Sequence, residues 1–164
     1  MKLTRHTLIF AHRGANQEAA ENTRSAFDKA LTYPIDGMET DIQLSRDGVA
    51  VLWHDRFLGK LRQHEKHIDD FDYSQLRAMN FAGHYSPVAK PEGIVSLQEY
   101  LEAYRTRTRL LLEIKNRDWE TLERQKNKVQ QTLAMVGQVY DDRIIISSFN
   151  LDSLLYAQQC RPGF

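Results

Sequence analysis

Glu39 and Asp41 stand two residues apart in Met38–Leu44, whose alternation predicts a β-strand. Both carboxylates therefore point to one face. Two carboxylates this close repel unless something positive lies between them. Glu113, on a second predicted strand over Arg109–Ile114, can complete a set of three. Three carboxylates suit a hard divalent cation such as Mg²⁺ or Ca²⁺, with water in the remaining positions. Taken alone, the Glu39/Asp41 pair reads equally well as solvated acids at a strand edge. His12 and His54 each end a predicted strand. With an ordinary pKa of about 6.5, imidazole can accept or donate a proton near neutrality. One histidine by itself is more often structural, but two at one edge beside carboxylates point to acid–base work. Arg13 follows His12, and Lys115 stands two residues after Glu113. The Glu113/Lys115 pair alone reads as a structural ion pair. If all these groups share one site, the three carboxylates, a divalent cation and the two basic residues leave one positive charge. A phosphodiester would neutralise it.

The elements that must position these residues alternate along the chain. Leu8–Ala11 predicts a strand. Asn22 or Thr23 can cap a helix bearing Ala26, Phe27, Ala30 and Leu31 on one side, and Tyr33-Pro34 stops it. Asp47-Gly48 predicts a tight turn, with a return strand over Val49–His54. Residues 56–93 are polar and rich in turn formers, with helix expected only over Tyr73–Met79. They read as an insertion after the second strand and its return, within a single domain over 1–164. Leu97, Tyr100, Leu101 and Tyr104 follow at helical spacing. Asp118 is expected to cap a long helix with Leu122, Val129, Leu133 and Val136 as its buried stripe. Ile144–Ser148 predicts a strand, and its unbroken isoleucines suggest cover on both faces. Asn150 opens a last helix with Leu151, Leu154 and Leu155. Strand and helix alternating four times predict an α/β fold of right-handed parallel βαβ units. In such folds ligands bind where the strands end, which is where the polar residues above collect.

Composition excludes several partner classes. Lys+Arg and Asp+Glu are both 22 among 164 residues, so no global field draws the chain to nucleic acid or an anionic membrane. No apolar run approaches the ~20 residues of a membrane span. Leu8–Ala11 is far shorter than the ~7–15 residues of a secretory core, and Cys160 stands alone, so a reducing, cytoplasmic setting is expected. His6, His64, His67 and His84 read as surface residues. Cys160 reads as a packing or surface residue, and Phe149 as a substrate-side or core aromatic. Ser148 lacks a G-x-S-x-G elbow, which argues against a serine nucleophile.

The chain resembles the glycerophosphodiester phosphodiesterase family. The resemblance rests on His12-Arg13-Gly14, Glu21-Asn22-Thr23, Ala26-Phe27, Glu39-Thr40-Asp41-Ile42, Asp47-Gly48, His54-Asp55, Leu112-Glu113-Ile114-Lys115 and Ser148-Phe149-Asn150, in that order. It implies a TIM-barrel scaffold and metal-dependent cleavage of glycerophosphodiesters to glycerol 3-phosphate and an alcohol. It also implies Glu39, Asp41 and Glu113 as metal ligands, His12 and His54 as acid/base residues, and Arg13 and Lys115 near the phosphate. A relative acting on lysophospholipids is the nearest alternative, and a non-catalytic interaction module the more distant one.

A TIM barrel typically takes about 250 residues and eight βα units. About four are present, so a partial barrel is expected. Its open strand edges and inner face would invite self-association or a partner that covers them. A truncated product with little activity is the other expectation.

Overall fold

Four parallel strands, each followed by a helix, carry the chain, and one antiparallel return strand joins them. The computed structural model describes residues 7–137 and 141–162; His6 lies outside them. β1 (Phe10–His12) leads to α1 (Arg24–Ala30), and β2 (Gly37–Leu44) turns back as β3 (Ala50–Leu52). A short helix, α2 (Tyr73–Ala78), and two 3-10 turns lie between β3 and α3 (Leu97–Tyr104). Then come β4 (Arg109–Ile114), α4 (Leu122–Val136), β5 (Ile144–Ser147) and α5 (Leu151–Cys160). The sheet runs β1-β2-β4-β5, with β3 antiparallel to the end of β2. The four parallel strands with their helices match the four βα units expected.

The core lies between the sheet and its helices. Phe27 of α1 packs on Tyr100 and Tyr104 of α3, with ring centroids 4.5 and 5.5 Å away. Met38, Ile42, Leu110 and Leu112 meet them from the sheet. Gly37 is required where β1 meets β2, because a Cβ there would lie 2.3 Å from the Phe10 ring. The whole of β2 is buried, as a central strand should be. In β4, Leu110, Leu112 and Ile114 are buried against helices, while Arg109, Leu111 and Glu113 are only half-buried on the other face.

Several local expectations need correction. β1 ends at His12 rather than Ala11, and the return strand is only Ala50–Leu52. Thr121, not Asp118, caps α4: its side chain accepts from the Arg124 amide, while Asp118 pairs with Arg56. Leu122 is therefore exposed, and the buried face is Val129, Leu133 and Val136 with Lys128 and Thr132. β5 is an edge strand whose isoleucines are unequal: Ile144 is buried but Ile145 is exposed. Leu151 and Leu155 on α5 are exposed too, beside a cleft of about 460 Å³ lined by Ile144, Ile145, Ile146 and Leu154. Cys160 is exposed. His67 is not a free surface residue, because it is stacked between Phe57 and Trp119, centroids 4.9 and 3.9 Å away. This stack pins segment 56–93 to the loop after β4. Among the described residues no helix is long and apolar enough to cross a membrane.

Candidate active site

Strand register assembles the site. His12 pairs with Glu39 across β1 and β2, and Asp41 pairs with Glu113 across β2 and β4. Residues opposite each other in a sheet share a face, so four chemistry-bearing side chains converge where the strands end. The chain leaves β1 through Arg13, at φ 58°, and Gly14, at φ 78°. This left-handed turn aims the Arg13 amide at the Glu39 carbonyl (3.1 Å) and at Glu39 Oε2 (3.0 Å). Such a conformation is strained for arginine and persists only where its surroundings hold it. Gly14 cannot be replaced without a clash, because a Cβ would lie 2.7 Å from the Ala26 backbone of α1.

Glu39, Asp41 and Glu113 each bring a carboxylate oxygen to within 4.8 Å of the others. Asp41 is fully buried and closely attended. Arg13 Nε lies 3.2 Å from Oδ2, Lys115 Nζ 3.1 Å from Oδ1, and Asn22 Nδ2 donates to Oδ2 at 3.0 Å. Lys115 also pairs with Glu113. Glu39 is served differently. Among the described residues its Oε1 is buried with no hydrogen-bond partner; Asp41 Oδ1 also lacks a hydrogen bond but has the Lys115 ammonium beside it. Burial, and then the Asp41 charge, push the Glu39 carboxyl up to about 7. Three hard oxygen donors around an orphaned, buried carboxylate oxygen fit a divalent cation. The ligand set expected from sequence is thus brought together.

The two histidines differ in their surroundings. His12 exposes most of its side chain, with Nε2 3.8 Å from Glu39 Oε2. Partial burial, then Arg13, lower its pKa, and the His54 charge adds to this. His54 is half-buried, and its Nδ1 lies 2.9 Å from Asp55 Oδ1. Its backbone is fixed from beneath. Gln43 Nε2 donates to the carbonyls of Trp53 (2.7 Å) and Asp55 (3.1 Å), and Arg117 donates to those of His54 and Asp55. Burial raises the Asp55 carboxyl, but hydrogen bonds with His54 and Lys60 outweigh it and hold the group below its usual value.

Sequence reasoning missed a supporting layer. Asn22, at φ 56° and 3 % exposed, bridges Asp41 and Thr40, whose hydroxyl donates to Asn22 Oδ1 at 2.8 Å. Glu21 accepts from Arg13 Nη1 at 3.2 Å and from Lys60 Nζ at 2.8 Å. Glu21, Asn22 and Asp55 lie in the motifs quoted above, which was the available signal; Lys60 and Arg117 had none. Ser148 Oγ donates to the Ile114 carbonyl and accepts from the Asn150 amide, which is a turn-holding role. Phe149 is 93 % exposed, so it is not a core aromatic. It flanks a cleft of about 390 Å³ shared with Glu113, Lys115, Asn116, Arg117 and Asn150. A larger cleft, about 840 Å³, lies along α4 and touches none of the carboxylate or histidine groups.

Residues 12–162 match the glycerophosphoryl diester phosphodiesterase family. The chain belongs to this family. A relative named glycerophosphodiester phosphodiesterase, from Caldanaerobacter subterraneus subsp. tengcongensis, is 30% identical over 159 residues, covering 95% of this chain and 63% of that protein. The crystal structure of a glycerophosphodiester phosphodiesterase from Agrobacterium tumefaciens superposes with a TM-score of 0.80 at 29% identity, covering 97% of this chain and 65% of the other. An Oleispira antarctica phosphodiesterase shares the fold at a TM-score of 0.84 and 24% identity, covering 96% and 63%. The chain thus spans somewhat under two thirds of these relatives, and its βα units form a partial barrel of the family's type. All seven site residues singled out from sequence fall inside the matched span.

Proposed function

We propose that this chain carries the catalytic residues of a metal-dependent glycerophosphodiester hydrolase that releases glycerol 3-phosphate and an alcohol such as choline or ethanolamine. The observation that carries the reading is one register-built cluster. In it Glu39, Asp41 and Glu113 meet beside His12, with His54 close enough for its charge to act on His12. Glu39, Asp41 and Glu113 would hold Mg²⁺ or Ca²⁺, which supplies Lewis-acid stabilisation of the charge that builds on a phosphate oxygen. Arg13 and Lys115 sit against Asp41 and turn positive charge toward the same place, where they orient the phosphate. One histidine takes a proton from the nucleophile, either the neighbouring glycerol hydroxyl or water. The other gives a proton to the departing alcohol oxygen. Asn22 and Thr40 keep Asp41 aimed, and Arg117 and Gln43 keep the His54 segment in place.

The test is release of glycerol 3-phosphate from glycerophosphocholine, with Mg²⁺, with Ca²⁺ and with EDTA. Activity that needs metal and disappears in His12→Ala supports the reading. A folded chain without turnover on this diester or on a lysophospholipid overturns it in favour of a non-catalytic module. Turnover of the lysophospholipid alone moves the substrate class to lipids.

For partners, the exposed Ile145, Leu151 and Leu155 around the β5 edge support association through that face, with a second copy or with a protein that supplies cover. Light scattering on the chain with Ile145→Lys and Leu155→Lys tests this. A smaller particle than wild type is expected, and equal masses would refute it.

A further inference from the structure

Segment 56–93 reaches the acid–base groups through Lys60. Its first 3-10 turn, Gly59–Leu61, presents Lys60. Lys60 Nζ lies 2.8 Å from Glu21 Oε1 and 2.9 Å from Asp55 Oδ2. Asp55 turns its other oxygen to His54, with Oδ1 2.9 Å from Nδ1. An ionised carboxylate only accepts, so the 2.9 Å contact with Asp55 calls for a proton on His54 Nδ1. On its far side Glu21 meets Arg13 at 3.2 Å, and Arg13 meets Asp41 at 3.2 Å. A single ammonium thus links the His54 side of the site to the carboxylate side.

The turn that delivers it is anchored. Leu58 is fully buried, in a cluster with Trp53 and Ile68, and its amide donates to the Lys66 carbonyl at 2.8 Å. Lys60 Nζ also sits 5.5 Å from the centre of the Trp53 ring. Glu21, His54 and Asp55 come within 4.8 Å of one another, a spacing that would otherwise suit a second cation. Lys60 already bonds both carboxylates and supplies that charge. Without it, Glu21 and Asp55 would face each other as like charges, and Asp55 would swing away from His54.

We propose that Lys60 is a positioning residue. It acts through Asp55 to hold His54 as the Nδ1–H tautomer, and this makes segment 56–93 a working part of the active site. The proposal rests on the phosphodiesterase reading above for its catalytic meaning, but not for its structural content. Two measurements on the full chain separate the two.

The first is ¹⁵N imidazole NMR of wild type and Lys60→Met. His54 is expected as the Nδ1–H tautomer in wild type and shifted toward Nε2–H in the variant, with His12 unchanged. An unaltered His54 in folded Lys60→Met overturns the proposal. Lys60→Gln, which keeps most of the chain length, gives the same readout should Lys60→Met unfold.

The second is kinetics on glycerophosphocholine. Displacing a catalytic group by about an ångström costs on the order of 10²-fold in rate, so Lys60→Met should lose about that in kcat with little change in KM. Lys60→Arg should restore most of it. In a His54→Ala background, Lys60→Met should cost nothing further. Full additivity with His54→Ala overturns the proposal. An inactive wild type overturns the phosphodiesterase reading, while the tautomer result still decides the role of Lys60.

Discussion

Replacing Asn22 with glycine removes two buried hydrogen bonds without disturbing the turn. Asn22 sits at φ 56°, which glycine adopts freely, so backbone strain does not confuse the result. Its Nδ2 donates to the Asp41 carboxylate at 3.0 Å, and its Oδ1 accepts from Thr40 at 2.8 Å. Asn22 is 3 % exposed and Asp41 fully buried, so both bonds are shielded from bulk solvent in the folded protein. A bond to a charged partner contributes about 1.5–3 kcal/mol and a neutral one about 1 kcal/mol. The looser unfolded chain of a glycine adds roughly 0.5–1 kcal/mol. The expected loss is therefore about 3–5 kcal/mol, a large share of the roughly 5–15 kcal/mol of an ordinary domain. Urea unfolding of the metal-free protein measures it, read as a shift in midpoint at constant slope. In an Asp41→Asn background the same change should cost about 1–2 kcal/mol less, because the charged bond is already gone. A loss under about 1 kcal/mol in the wild-type background would refute the reasoning, since it would mean that Asp41 is held by Arg13 and Lys115 alone.

Two further outcomes follow from the same geometry. Gly14→Ala combines φ 78° with a Cβ 2.7 Å from the Ala26 backbone. A cost of about 2–5 kcal/mol is expected, lowering the thermal midpoint by roughly 10 °C, and a midpoint within about 2 °C of wild type would contradict it. Asp141, held by side-chain bonds from Arg143 and Arg105 and the Arg143 amide, has its carboxyl lowered to about 2. A depressed acid stabilises the fold above its unfolded pKa of about 3.8 and loses that contribution as pH falls toward 2. Because the site is near the surface, the discounted effect is about 1 kcal/mol. Asp141→Asn should cost that much at pH 7, with the gap to wild type closing between about pH 4 and pH 2; a gap independent of pH would refute the assignment.

The central site was legible because strands and carboxylates obey a simple rule. Period two puts Glu39 and Asp41 on one face, and strand ends gather His12 and Glu113 beside them. Nothing comparable governs the supporting layer. Asn22 reaches Asp41 through a left-handed turn, and Lys60 reaches Asp55 through a single 3-10 turn. Neither has a period that spacing can reveal. The misreadings have the same origin. Three isoleucines in a row look alike in a covered strand and at an edge, and only the neighbours of β5 distinguish Ile144 from Ile145. Asp118 and Thr121 are both good caps. Glu120 settles the choice by bonding the buried Lys128, at 2.7 and 2.8 Å, which fixes the turn before Thr121.

The carboxylates are also served unequally, and that inequality carries meaning for the chemistry. Asp41, the most buried of the three, has two cationic neighbours and an amide donor from the chain itself. Glu113 shares Lys115. Among the described residues Glu39 accepts a hydrogen bond only from the Arg13 amide, with His12 Nε2 3.8 Å from the same oxygen; Oε1 is left without a partner, and the carboxyl is pushed up to about 7. A fold under selection for stability alone would have little reason to bury a third acid there, because an unpaired buried charge costs far more than an apolar side chain of similar volume. A bound cation would resolve the conflict, since its charge would answer Glu39 Oε1, which among the described residues has no hydrogen-bond donor, and Asp41 Oδ1, which has only the Lys115 charge beside it. The unmet demand at Glu39 is thus the local feature by which this site differs from an ordinary buried ion-pair network.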